Sequence, residues 1–401
     1  MKEREVVIVD GCRTAFGKKG GGLRSFAASE LGGICVKALL ERTSLYERGG
    51  QVDSLMAGMA ILDSKAHSVA RYVSQYAGLP FDVSATFVEM QCGSAITALN
   101  HAAWKIKMGM SDIAIVGGVE SHSNIPALYG TDYTPYRQIP TPLPFHLSPI
   151  PEHDTDMVRN SDKMAAKWGI SREACDEFSI RSQERLQAGY ASGLIGPEII
   201  PVTIPATRKT PEIIVDKDEH PRPDITLEKI AAMKSIFAGG VTTAANASGT
   251  NDGAAFLLVM TSEKAKELGY EPYAKWIGGA YGGIQPDLMG VAASYSNLKA
   301  AKQLGMKLKD FDVFESNEAF AAQQLSVIKD MQDATGEIID QSKWNPNGGA
   351  IAIGHPNAAS GARITMFAMK QLEKTGGKYG SISSCCGGGH GSTAIIENLR
   401  R

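Results

Sequence analysis

Ala85-Thr86-Phe87-Val88-Glu89-Met90-Gln91-Cys92-Gly93-Ser94-Ala95 reads as a strand that turns and passes directly into a helix. Ile96, Leu99, Ala103 and Ile106 then repeat at helical spacing, and Gly109 stops the run. Cys92 is thereby placed at a helix N-terminus, where free N–H groups and the helix dipole lower a thiol pKa. The alternative is a structural cysteine in a buried strand–helix corner.

The same grammar extends outward in both directions. Upstream, Val6 to Val9 reads as a strand, and residues 25–42 as a helix with Leu31, Ile34, Cys35, Ala38 and Leu39 on one side, so Cys35 reads as core. Ser54 to Ala60 is a short strand, and 64–77 a helix that ends at Gly78-Leu79-Pro80. Gly17 to Gly22 lacks the Gly-Lys-Ser/Thr closure of a phosphate loop. Downstream, Asp112 to Val116 is a strand ending in Gly117-Gly118-Val119-Glu120-Ser121.

Seven prolines fall between Pro126 and Pro151, which argues against regular structure there. Helical patterning returns at 157–168 and 171–192, before a polar, proline-studded stretch from Pro197 to Pro223. Residues 122–245 therefore read as an insertion of loops and helices, of the kind that forms lids or binding surfaces. Gly239 to Gly253 is a run of small polar residues feeding the strand Ala254 to Met260, and reads as a ligand-side loop or a plain connector.

The second half repeats the first. Tyr273 to Gly278 is strand-like, 290–304 helical, and Phe311 to Phe314 a strand running into Glu315-Ser316-Asn317-Glu318-Ala319-Phe320. Gly348 to Pro356 leads to a helix at Ser360 to Leu372, which places His355 at a strand–helix junction like that of Cys92. Gly380 to Ser384 ends in Cys385-Cys386-Gly387-Gly388-Gly389-His390-Gly391. Its glycines let backbone N–H groups converge beside a thiol, or simply form a tight turn with two buried cysteines. Two halves of similar order suggest an α/β duplication that brings Cys92 and His355 face to face.

The 401 residues suit two or three domains. A net charge of −2 gives no electrostatic case for nucleic acid or an anionic membrane surface, and no run reaches the roughly 18 apolar residues of a membrane span. Met1 to Glu5 does not read as a leader, and Asn398-Leu399-Arg400-Arg401 is not a Ser-Lys-Leu address, so the expected location is cytoplasmic. Six cysteines without a Cys-x-x-Cys do not form a disulfide framework, and Cys385, Cys386 and His390 lack metal-ligand spacing.

Four motifs in this order resemble the thiolase family over roughly residues 5–400: Cys92-Gly93-Ser94, Asn317-Glu318-Ala319-Phe320, Gly348 to Pro356, and Cys385-x-Gly387-Gly388-Gly389-x-Gly391. Gly117 to Ser121, Asn246 to Gly249 with Asn251-Asp252-Gly253, and Met289-Gly290 support it. The resemblance implies the thiolase fold: duplicated halves, each with a five-stranded mixed sheet, stacked as α-β-α-β-α. It implies halves at 1–121 plus 246–271 and at 272–401, with a loop domain at 122–245. It implies an acyltransferase working through an acyl-cysteine, with 3-ketoacyl-CoA or acetoacetyl-CoA as substrate, CoA or acetyl-CoA as co-substrate, and no permanent cofactor or metal.

Carried over residue by residue, the resemblance makes Cys92 the nucleophile, His355 its base, Cys385 the second acid/base, and Asn317 the holder of an oxyanion-site water. Backbone N–H groups of Cys92 and Gly387 would bind the tetrahedral oxyanion. Ser248, Met157, Phe237 and Met289 would contact pantetheine or acyl chain, and Arg222 the nucleotide end of CoA or only solvent. A homotetramer, as a dimer of dimers, and a place in fatty acid metabolism follow from the family alone.

The chain departs from the family's pattern at several positions. Glu89 replaces Asn, Ala95 and Ala358 replace Gly, and His122 stands where Met is usual. Ala292 to Ser296 replaces a Gly-Pro-Val-Pro-Ala loop, and Cys386 is an extra thiol. These changes bear on acyl range; a thiolase-like protein with altered range or lost activity is the alternative.

Overall fold

The computed structural model describes residues 4–134 and 137–401. In chain order the principal elements are β1 (Val6–Thr14), α1 (Ala28–Thr43), β2 (Ser54–Gly58), α2 (Val69–Tyr76), β3 (Ser84–Val88), α3 (Ser94–Lys107) and β4 (Ile113–Ser121). Then come α4 (Met157–Trp168), α5 (Arg172–Ala191), β5 (Asn251–Thr261), β6 (Ala274–Gly283), α6 (Ala292–Gln303), β7 (Val313–Ser316), α7 (Ala321–Thr335), α8 (Ser360–Thr375), β8 (Tyr379–Cys386) and β9 (His390–Asn398).

The two halves share one topology. The first sheet runs β1-β5-β4-β2-β3, with β1/β5 and β5/β4 antiparallel and β4/β2 and β2/β3 parallel. The second runs β6-β9-β8-β7, antiparallel, antiparallel and parallel, and ends in a parallel bridge from Phe314 to Trp344. Each half thus reads first, fifth, fourth, second, third strand. The third strand of the second half is only this bridge, not the full strand expected of a five-stranded sheet. The sheets are continuous, because β1 pairs antiparallel with β6 from Val6↔Trp276 to Ile8↔Ala274.

Three apolar clusters set the layers. Leu31, Cys35 and Leu39 of α1 and Val69 and Val73 of α2 cover one face of the first sheet. Ile96, Leu99 and Ala103 of α3 and Ile364, Ala368 and Leu372 of α8 fill the space between the sheets. Ala300 of α6 and Val327 and Met331 of α7 cover the far face of the second sheet, with Cys175 and Phe178 of α5 behind them. The sequence of layers is α-β-α-β-α, and burying both faces of each sheet is why the central strands are continuously apolar.

The insertion is more regular than its prolines suggest. Tyr129–Thr134 and Arg137–Pro142 pair as a hairpin. Leu143 N–H donates to Leu128 C=O, so alternation puts Pro142, opposite Tyr129, and Pro140, opposite Thr131, at positions whose nitrogen faces away from the partner strand. Proline costs no ladder bond there. His355 follows a short helix, Ala350–Ile353, and Gly354 at φ +103°, not the strand its sequence suggested.

Candidate active site

Two turns meet where α3 and α8 begin. The first, Gln91–Gly93, carries Cys92; the second, Asn357–Ala359, follows His355. Gln91 sits at φ +48°. Glu89 supports that strained turn by accepting from both the backbone N–H and the side-chain amide of Gln91, each at 2.8 Å. Ser94, first residue of α3, donates to Gln91 C=O at 2.7 Å and accepts from Met90 N–H at 3.0 Å. The departures at Ala95 and Ala358 are accommodated: Ala95 faces Gly361 of α8, and the Ala358 carbonyl lies against Gly118.

Cys92 Sγ lies 3.2 Å from His355 Nε2. On the other side of the ring, His355 Nδ1 lies 2.6 Å from Ser360 Oγ, and Ser360 Oγ donates to Pro356 C=O at 3.2 Å. With its hydrogen so committed, Ser360 accepts Nδ1–H, which leaves the Nε2 lone pair facing the thiol. The His355 backbone N–H donates to Asn251 Oδ1 at 2.9 Å. Asn317 Nδ2 approaches the same Nε2 at 3.3 Å, while its buried Oδ1 finds no protein donor among the described residues.

Burial dominates the electrostatics. It pushes the Cys92 thiol up to about 12, with Glu120 adding to the rise and the Asn357 amide opposing it. Cys92 nevertheless keeps partial access to solvent. Burial also drives His355 down to about 3, followed by the effects of His122 and Arg363. The resting pair is thus neutral thiol and neutral imidazole. The thiol is raised, not lowered as its place before a helix suggested: burial outweighs the Asn357 amide and the backbone N–H that favour the thiolate. Glu120 accepts N–H bonds from Ala60, Ile61 and Ala358 at 3.1–3.2 Å, yet burial still raises it to about 7.

Cys385 and Cys386 point to opposite faces of β8. Burial, then Cys92, pushes the Cys385 thiol above its ordinary value. Cys386 Sγ occupies the space over Gly93, where an added Cβ would approach it to 2.5 Å. Gly387 lies against Gln91 and Leu147.

Of the other sequence candidates, Ser248 donates its backbone N–H to Ala319 C=O at 2.9 Å, and neighbouring Thr250 bridges to His355. Met157 opens α4 half-buried. Arg159 stacks over the Phe237 ring at 4.1 Å, and Met289 is buried in the turn Pro286–Val291. Arg222 donates to Ala244 C=O at 3.3 Å. Sequence reasoning gave no role to Ser360, Asn251, Glu120 or Asn357. Ser360 at the first helical position after His-Pro was the one available signal. Among the described residues no group of three or more His, Cys, Asp or Glu is arranged to hold a metal, and no helix is long and apolar enough to cross a membrane.

Residues 6–263 match the family model described as thiolase, N-terminal domain, and residues 270–398 that described as thiolase, C-terminal domain. The chain is 40% identical to a beta-ketoadipyl-CoA thiolase of Acinetobacter baylyi over 99% of its own length and 100% of that protein. Its fold superposes on acetyl-CoA acetyltransferase from Syntrophomonas wolfei with a TM-score of 0.91 at 33% identity, covering 99% of this chain and 100% of that one. Human mitochondrial 3-ketoacyl-CoA thiolase in complex with CoA gives 0.86 at 32% identity, covering 98% of each.

Proposed function

The chain belongs to the thiolase family, acyltransferases that work through an acyl-cysteine, and on that premise we propose that Cys92 is the residue acylated. The observation that carries the assignment is the 3.2 Å contact from Cys92 Sγ to a His355 Nε2 whose lone pair Ser360 aims at it. Nε2 takes the thiol proton as Sγ attacks the C3 carbonyl of a 3-ketoacyl-CoA. The C2–C3 bond then breaks, and Cys385 protonates the released acetyl-CoA carbanion. Free CoA, deprotonated in turn, attacks the acyl-cysteine.

Backbone N–H groups of Cys92 and Gly387 serve as oxyanion donors; the approach of Gly387 to Gln91 supports this. One such donor is worth roughly 3 kcal/mol. Asn317 is proposed to hold a water beside His355, a role its donor-less Oδ1 supports. Ser248, Met157, Phe237, Met289 and Arg222 are assigned to the CoA and acyl path. The proposed division has halves at 1–121 plus 246–271 and 272–401 around a loop domain at 122–245; the repeated strand order supports the two halves. A dimer of dimers is supported by Leu128, Tyr129, Leu143 and Phe145, all exposed at the hairpin. The reading extends to acetoacetyl-CoA or longer 3-ketoacyl-CoA substrates, a place in fatty acid metabolism and a cytoplasmic location.

The test is Cys92→Ser with acetoacetyl-CoA. Intact-protein mass spectrometry should find acetyl-enzyme in the wild type and none in the variant. Normal turnover by the variant would overturn the assignment.

A further inference from the structure

Cys92 has a second side-chain partner besides His355. Asn357 Nδ2 donates to Sγ at 3.5 Å, and Asn357 Oδ1 lies 2.8 Å from His122 Nε2. The imidazole, the amide and the sulfur therefore form a chain of contacts. An amide oxygen has no hydrogen to give, so this contact needs His122 to donate Nε2–H. That donation holds Oδ1 toward the imidazole and Nδ2 toward the sulfur. His122 is buried, which lowers its pKa and keeps it neutral. Asn357 is anchored through the next residue, whose N–H donates to Glu120.

The surroundings explain why such a donor matters. Glu120 and Glu89 both oppose charge on Cys92, as does burial. Asp252 and Lys19 act on His122, and His122 and Arg363 act on His355. A methionine in place of His122 would have no N–H to offer the amide.

We propose that Asn357 is a further catalytic residue, an N–H donor to the Cys92 sulfur as it becomes a thiolate, and that His122 is its positioning residue. The inference rests on Cys92 being the nucleophile. The proton balance is simple. The Sγ–H proton goes to His355 Nε2, Asn357 keeps both its hydrogens, and nothing is oxidised or reduced. The anionic sulfur is a stronger acceptor than the thiol, so the bond strengthens as attack proceeds.

The test compares wild type with Asn357→Leu, His122→Met and His122→Gln. Iodoacetamide labelling is followed from pH 7 to 9, with the site located by peptide mass spectrometry, alongside kcat and KM for acetoacetyl-CoA thiolysis. Asn357→Leu should slow Cys92 labelling and lower kcat by about tenfold, the loss expected for a hydrogen bond to a charged group, with KM little changed. His122→Met should move in the same direction. His122→Gln, whose amide can donate to Oδ1, should recover most of the rate. Cys92 labelling at the wild-type rate in folded Asn357→Leu would overturn the proposal. So would a His122→Met loss that glutamine does not restore, and this second comparison decides the matter if the leucine variant does not fold. If wild-type label lands on other cysteines, the nucleophile assignment fails instead.

Discussion

His355 Nε2 stands 3.2 Å from Cys92 Sγ, and burial holds both groups in their uncharged forms. The pair therefore differs from a thiolate–imidazolium couple, in which the charge is separated before substrate arrives. Here the proton moves only as the sulfur attacks, and the behaviour of the pair with pH follows from that.

The thiol titrates at about 12 and the imidazole at about 3. Neither group changes its dominant form between those values, so the thiolate fraction keeps climbing with pH, by less than tenfold per unit near pH 7, where Glu120 ionises beside it. Alkylation of Cys92 by iodoacetamide should therefore keep accelerating from pH 6 to 9. A stopped-flow or quenched time course that levels off near pH 7 would show a preformed thiolate and contradict this geometry.

Ser360 fixes the tautomer of His355 through the 2.6 Å contact to Nδ1. Ser360→Ala leaves Nδ1–H buried without an acceptor and frees the ring to present either nitrogen to Cys92. The expected loss in kcat is on the order of 10- to 100-fold, with about 1 kcal/mol of stability. Steady-state thiolysis and thermal melting separate the two effects. A variant with wild-type kcat would mean the tautomer is set by another group.

Gly118 faces the second turn, and an added Cβ would stand 2.1 Å from the Ala358 carbonyl oxygen. Backbone there has little room to yield, because Ala358 N–H is held by Glu120. Gly118→Ala should cost about 1–3 kcal/mol and displace Asn357 and His355 from Cys92. Lower melting temperature together with reduced turnover is the expected pair of results; stability lost with full activity would show that the turn is not displaced.

Glu315 is buried in β7, 3.9 Å from Arg363, and neither carboxylate oxygen finds a hydrogen-bond donor among the described residues. Burial raises its pKa from 4.5 to about 8, with Arg363 opposing the rise. The folded chain thus holds a proton that the unfolded chain releases, so stability is lost as pH rises from about 4.5 to about 8. The slope from this group is roughly 1.4 kcal/mol per pH unit. Glu315→Gln should remove it, which denaturant melts of both proteins at pH 5.5 and 8 would detect as a difference in their pH dependence. Parallel pH dependences would assign the titration elsewhere.

The local pattern around Cys92 was legible because strand, turn and helix each leave a periodic signature. Ile96, Leu99 and Ala103 do lie in the layer between the sheets. The hairpin at Tyr129–Pro142 was hidden because proline frequency carries no register, and register decides whether a missing N–H matters. The Asn357–His122 contact was equally hidden, since 235 residues separate its members and neither belongs to a motif.

By itself, the sequence determined the α/β class, the family, and which side chains are available for the chemistry: a thiol before one helix, an imidazole before another, a second thiol beside glycines. These are local properties of residue type and spacing. Only the tertiary structure decided that both sheets share the strand order first-fifth-fourth-second-third, that they join through β1 and β6, and that Cys92 and His355 rest uncharged. Pairing and burial depend on what the rest of the chain brings close, and at Cys92 burial raises the thiol where the local sequence suggests it would be lowered.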